Sequence, residues 1–119
     1  MSKHSQREML ITALKQKGCK EVESKSRKYV TLTRINTPGY YFVGKAGALR
    51  LGHVVSCSVP VSDKYRKELL QWGELLMWVR DNPDDSREYG DEDIRKRFPD
   101  ATHVQVANIR AIIESSAPV

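Results

Sequence analysis

The chain has 119 residues, of which 39% are hydrophobic and 29% are charged, with a formal net charge of +5. This length suits one domain with a real core, and the composition excludes a disordered chain. No apolar run reaches the length of a signal sequence or a membrane span, so we expect a cytoplasmic protein without membrane contact. Cys19 and Cys57 are separated by 37 residues and lie near no histidine cluster, which predicts reduced thiols and no zinc site.

The positive charge is confined to one half of the chain. Residues 1–61 contain 11 basic and 3 acidic residues, a net charge of +8, whereas residues 62–119 contain 9 basic and 12 acidic residues, a net charge of −3. We treat the two segments as a basic half and a helical half of a single domain spanning residues 1–119. Such an asymmetry is typical of nucleic-acid-binding proteins, although single-sign surfaces also occur without any ligand.

The first predicted element is a helix. Ser5-Gln-Arg-Glu8 is a capping box, in which both side chains satisfy backbone N–H groups of the first turn. Gly18 ends the helix, because glycine readily adopts the left-handed conformation that follows a last turn. The predicted buried stripe consists of Met9, Leu10, Ala13 and Leu14.

A series of short strands follows, because β-branched and aromatic residues alternate with polar ones between turn signals. The predicted strands are Val22 to Ser24, Tyr29 to Arg34, Tyr40 to Val43, Ala48 to Leu51 and Val54 to Val59. Turns are predicted at Asn36–Gly39 and Gly44–Gly47, where glycine or proline sets the backbone angles. The connections are too short for parallel crossovers, so the strands predict an antiparallel meander.

The helical half begins at Ser62, which caps a helix from Asp63 to Arg80. Its predicted core stripe is Tyr65, Leu69, Trp72, Leu76 and Val79. Residues 81–90 read as a solvated acidic loop, whose carboxylates lack calcium-loop spacing.

Two helices end the chain, from Asp91 to Phe98 and, after a capping box at Thr102–Gln105, from His103 to Glu114. The predicted fold class is α+β. It is one domain with an N-terminal helix, an antiparallel sheet of four or five strands, a long core helix and a C-terminal helical pair.

The main functional clue is a stretch of 39 residues, Ser24 to Ser62, that contains no acidic residue. It mixes basic residues with aromatic ones, which suits a polyanion with stackable bases. The predicted nucleic-acid-binding residues are Lys25, Arg27, Lys28, Arg34, Tyr41, Lys45 and Arg50. We therefore predict a small intracellular accessory protein without catalysis, which binds DNA or RNA through a basic, aromatic-containing sheet face.

Two further interpretations remain open. An inhibitor or adaptor could use the same basic surface to bind an acidic protein. The C-terminal helical pair has the outline of a helix-turn-helix, although a plain helical hairpin fits the pattern too. In the helix-turn-helix case, base edges would be read by secondary candidates, namely Gln105, Asn108 and Arg110.

The string Tyr41-Phe-Val-Gly-Lys45 with Leu49-Arg50 resembles the second half of the GIY-YIG nuclease signature. That resemblance implies metal-assisted phosphodiester cleavage served by Tyr41 and Arg50. The first half of the signature and its downstream Arg-x-x-x-His helix are missing, so a metal-dependent nuclease ranks only third. No catalytic residue, metal ligand or cofactor is predicted.

Overall fold

The computed structural model describes residues 5–24 and 27–115, which form an α+β domain of the predicted class. The helices are α1 (Gln6–Gln16), α2 (Asp63–Asp81), α3 (Pro83–Glu88), α4 (Asp91–Arg97) and α5 (His103–Ser115). The strands are β1 (Glu21–Val22), β2 (Tyr29–Thr33), β3 (Tyr40–Gly44), β4 (Leu49–Gly52) and β5 (Val59–Pro60). Among the described residues, no helix is both long enough and apolar enough to cross a membrane.

Both predicted ends of α1 are confirmed by their hydrogen bonds. The Ser5 Oγ accepts the Glu8 N–H at 3.2 Å. At the other end Gly18 has φ +110°, and the Cys19 N–H donates to the Leu14 carbonyl at 3.0 Å while Gly18 donates to Lys15 at 3.0 Å. This pair of bonds is a Schellman motif, which turns the chain sharply from α1 toward β1.

The five strands form an antiparallel meander in the order β1-β2-β3-β4-β5. Cross-strand partners share a face of the sheet, so the register sorts every side chain to one of two faces. The helix side carries Val30, Leu32, Tyr41, Val43, Leu49 and Leu51, which pack into the core with α1 and α2. The opposite side, here called the outer face, carries Tyr29, Thr31, Thr33, Tyr40, Phe42 and Arg50.

Helices α1 and α2 lie against each other over the sheet and approach most closely at Gly73. A methyl group at Gly73 would collide with the backbone of Met9, including its carbonyl oxygen. The small residue therefore sets the distance between the two helices, and it is buried in the middle of α2.

We expect Gly73→Ala to destabilise the protein by about 1–3 kcal/mol, because backbone atoms of α1 must move to make room. Helix propensity alone favours alanine by about 1 kcal/mol, so it predicts the opposite sign. Chemical denaturation measures the free energy of unfolding. Gly90→Ala is the matched control, since a Cβ at Gly90 meets only the Asp93 carboxylate at 3.5 Å. A stabilised Gly73→Ala protein would contradict the close helix packing.

The strand predicted at Val54–Val59 was largely wrong. Residues Val55–Cys57 form a single 3-10 turn, and only Val59–Pro60 pair with β4 as β5. The Arg50 guanidinium donates to the Ser58 Oγ at 2.8 Å and to its carbonyl at 2.7 Å, while the Ser58 Oγ donates to the Val55 carbonyl at 2.6 Å. These side-chain bonds hold a turn where β-branched residues predicted a strand. At the other edge, β1 is Glu21–Val22 rather than Val22–Ser24.

The acidic segment after α2 was predicted as a loop, but residues Pro83–Glu88 form α3. Pro83 occupies the first helical turn, where its missing N–H costs nothing, and acidic residues follow it at the positive end of the helix dipole. Ser86 is fully buried and donates to the Pro83 carbonyl at 3.2 Å. Beyond the helix, the Tyr89 ring packs edge-on against Trp78 with 4.8 Å between centroids. The Ser86 bond within α3 and the packing of Tyr89 on α2 explain why a polar segment is helical.

Candidate nucleic-acid interface

Three of the predicted binding residues lie together at one end of the sheet. Arg27 and Lys28 are exposed in the β1–β2 connection, and Lys45 is exposed in the β3–β4 turn. Lys28 directly precedes Tyr29 and Lys45 directly follows its partner Gly44, so both lysines lie just beyond the same end of the β2–β3 pair. Lys25, also predicted here, lies outside the described residues.

A fourth cation at this end, Arg66 of α2, was not predicted. Its Nε donates to the Gly47 carbonyl at 2.7 Å, and its Nη2 donates to the Gln6 Oε1 at 2.8 Å. One side chain thus connects the β3–β4 turn with the first turns of α1 and α2. We call the group Arg27, Lys28, Lys45 and Arg66 the basic end.

The basic end keeps an excess of positive charge when its surroundings are included. The β1–β2 connection, the β3–β4 turn and the first turns of α1 and α2 hold six described cations, Arg7, Arg27, Lys28, Lys45, Lys64 and Arg66. They also hold three acidic residues, Glu8, Glu23 and Asp63. Both helices begin here, so the positive ends of their dipoles add to the potential.

Comparison with known proteins adds no functional information. No protein-family model, no curated protein and no solved structure matches this chain. Across residues 5–24 and 27–115, no three histidine, cysteine or acidic side chains come together as a group that could hold a metal ion. The assignment of a candidate interface therefore depends only on the positions and charges of this chain's own residues.

The remaining predicted residues of the sheet do not join the basic end. The Arg34 guanidinium lies 5.6 Å from the ring centroid of Tyr41, which places it at the other end of the sheet and on the helix side. Tyr41 packs against the core, beside Tyr65 of α2. Burial raises the pKa of Tyr65, and the neighbouring Tyr41 raises it further. Tyr41 therefore contributes to the packing of the sheet on α2, with the Arg34 guanidinium over its ring.

Arg50 lies on the outer face, half-buried, with its guanidinium bonded to Ser58. It is thus on the opposite face from Tyr41, because Arg50 pairs with Phe42 and Tyr41 pairs with Leu51. The resemblance to a nuclease signature would require Tyr41 and Arg50 at one site. The register separates them instead.

Of the three C-terminal candidates for reading base edges, two make contacts within the domain and one is exposed. The predicted capping box is confirmed, since the Gln105 N–H donates to the Thr102 Oγ1 at 3.1 Å and the Gln105 Oε1 accepts the Thr102 N–H at 3.3 Å. The Gln105 Nε2 donates to the Glu68 carbonyl at 3.0 Å, so this side chain joins α5 to α2. Arg110 bonds the Tyr89 carbonyl and the Asp91 carboxylate. Asn108 is exposed.

The outer face carries a row of three aromatic side chains, two on β3 and one on β2. Tyr40 and Phe42 are two residues apart on β3, so they share this face, with 6.5 Å between ring centroids. Tyr29 of β2 continues the row, because its ring lies over Gly44, where a Cβ would be 3.3 Å from the Tyr29 Cε1. Tyr29 and Tyr40 are half-buried, whereas Phe42 is 3% exposed and belongs to no part of the main core.

Two features were not predicted from the sequence, the aromatic row on the outer face and the place of Arg66 at the basic end, for different reasons. The run Tyr40 to Val43 contains four apolar residues, so its alternation cannot show which pair faces the helices. For Arg66 no local signal exists, because its contact with Gly47 depends on where α2 packs.

Proposed function

We propose that this protein binds nucleic acid through its basic end and has no catalytic role of its own. The observation that carries the proposal is the pairing of Tyr29 with Gly44, which puts Arg27, Lys28 and Lys45 in the two connections at one end of the sheet. Arg66 is fixed at the same end by two hydrogen bonds. A cluster of cations at one end of a domain suits the negative charges of a phosphate backbone.

The charge distribution of the whole chain supports the same surface. The basic end belongs mainly to the half with a net charge of +8, and the C-terminal half has a net charge of −3. A phosphate backbone is therefore attracted to the sheet end and repelled by much of the helical half. The exposed Asn108 of α5 lies in that acidic half and is a poorer candidate for the first contact.

Salt dependence tests the proposal directly. If the four cations of the basic end each neutralise a phosphate, the logarithm of the binding constant should fall with the logarithm of salt concentration with a slope of about −3. The measurement is fluorescence anisotropy of labelled oligonucleotides between about 50 and 200 mM salt. A flat titration, or no binding at the lowest salt, would refute nucleic-acid binding.

An acidic protein partner is the alternative, because the same cations would attract carboxylates. A pull-down from untreated and nuclease-treated lysate separates the two. We expect the captured material to contain nucleic acid and to lose its protein components after nuclease treatment. An acidic protein that stays bound after that treatment, and binds directly when purified, would support the alternative.

A further inference from the structure

The aromatic row on the outer face lies next to the basic end. Tyr29 directly follows Lys28, and its partner Gly44 directly precedes Lys45. Tyr40 lies four residues farther along the paired strands, a distance of about 13 Å at the rise of an antiparallel strand. Cations and rings thus form one continuous strip along the β2–β3 pair.

No carboxylate lies on the described outer face of the sheet. Its members are Val22, Tyr29, Thr31, Thr33, Tyr40, Phe42, Gly44, Arg50, Gly52 and Pro60. The one acidic residue within the strands, Glu21, pairs with Leu32 and therefore lies on the helix side. The accessible rings of this face are those of Tyr29 and Tyr40, because Thr31 and Phe42 between them are buried. A phosphate chain crossing these rings would meet no carboxylate on this face, and the nearest acidic residues, Glu21 and Glu23, line a groove with Tyr29 at the β1 edge.

The two glycines of the strip explain how the rings are presented. Tyr29 lies opposite Gly44 and Tyr40 lies opposite Gly52, so each tyrosine has a cross-strand neighbour without a side chain. The Tyr29 ring covers Gly44, so that partner does not oppose the other side of the ring. Gly52 is instead approached by Ser58 and Cys57, so the Tyr40 ring is not opposed by a side chain at position 52. Phe42 lies between the two tyrosines along the sheet and is buried.

We propose that the ligand is single-stranded nucleic acid, with unpaired bases stacked on Tyr29 and Tyr40 and phosphates bound by the basic end. This inference rests on the proposed function and names its substrate class. Base faces are available for stacking in a single strand but are already stacked in a duplex. A surface for duplex alone would need the cations and would have no use for the rings.

The test compares one oligonucleotide as a single strand and annealed to its complement, with the unaltered protein and four variants. Tyr29→Leu and Tyr40→Leu remove the ring but keep an apolar side chain at each position, whereas Tyr29→Phe and Tyr40→Phe keep the ring. We expect each leucine variant to bind the single strand about 5- to 150-fold more weakly. The phenylalanine variants should bind it like the parent, and the parent should prefer the single strand over the duplex.

A second measurement uses the unaltered protein, so it does not depend on the folding of any variant. A single strand with iodouracil in place of thymine is photocrosslinked, and the attached residues are mapped by mass spectrometry. Crosslinks at Tyr29 or Tyr40 support the inference. Equal affinity for both strand forms, with crosslinks only elsewhere and leucine variants that bind normally, would overturn it while leaving the proposed function intact. Absence of binding to either form would overturn both.

Discussion

Reversing two charges, Lys28→Glu with Lys45→Glu, should reduce nucleic-acid affinity by at least about 100-fold near 100 mM salt. The two lysines flank the terminal Tyr29–Gly44 pair of the sheet, so the double variant would remove two proposed phosphate contacts and put two carboxylates in their place. The slope of the salt titration should also lose about two, because each lysine contact with a phosphate adds about one. Anisotropy titration measures both quantities in the same series.

The matched control carries the same charge change elsewhere. Lys20→Glu with Lys96→Glu alters two exposed lysines, one beside the far end of β2 and one in the last turn of α4. Its net charge equals that of the first double variant, so general attraction to a polyanion is weakened equally. We expect most of the affinity to remain. Equal loss in the two proteins would show that net charge alone governs binding, and it would remove the basic end as a site.

Trp72→Ala should destabilise the protein by about 3–5 kcal/mol, since it leaves a large cavity in the core. Trp72 is 7% exposed and belongs to the core cluster with Leu69 and Leu76. Chemical denaturation followed by the fluorescence of Trp78 measures the loss. That tryptophan remains a useful probe because its ring packs edge-on against Tyr89 and Phe98 at 4.8 and 5.4 Å.

Arg80→Ala on the same helix is the comparison variant, and its exposed side chain should contribute less than about 0.5 kcal/mol. Trp72 also lines a groove of about 640 Å³ between α1, α2 and α5. If Trp72→Ala keeps its stability and loses a binding partner, the residue is a surface anchor in that groove. The predicted buried stripe of α2 would then be wrong at its centre.

The elements that could be predicted from the sequence are those whose signals are local. The caps at Ser5, Ser62 and Thr102 each accept a hydrogen bond from an N–H three residues later, so a short window of sequence contains the whole interaction. Gly18 and Gly39 adopt the positive φ angles that their turns require, +110° and +111°. The fold class follows from such signals and from the periodicity of α2.

The errors occurred where distant contacts decide the local structure. Arg50 holds Ser58 in a turn, and Trp78 anchors the segment around α3, although neither partner is visible in a propensity pattern. In the candidate site, too, local signals were read correctly from the sequence and features set by distant contacts were not. Local composition identified Arg27, Lys28 and Lys45, but the faces of Arg34, Tyr41 and Arg50 depended on strand register.

The close packing of α1 on α2 also determines the order in which this chain can become stable. During synthesis the ribosome releases α1 and the whole meander before α2 exists, so the apolar helix side of the sheet waits without its main cover. The contact at Gly73 joins residues separated by the entire sheet, and such long loops close late in folding. A chain of which only the residues up to about 62 have left the ribosome would therefore present its most basic segment together with uncovered Leu32, Val43 and Leu49. Chaperones that recognise exposed apolar strands would meet this protein at that length, and release would follow the emergence of α2.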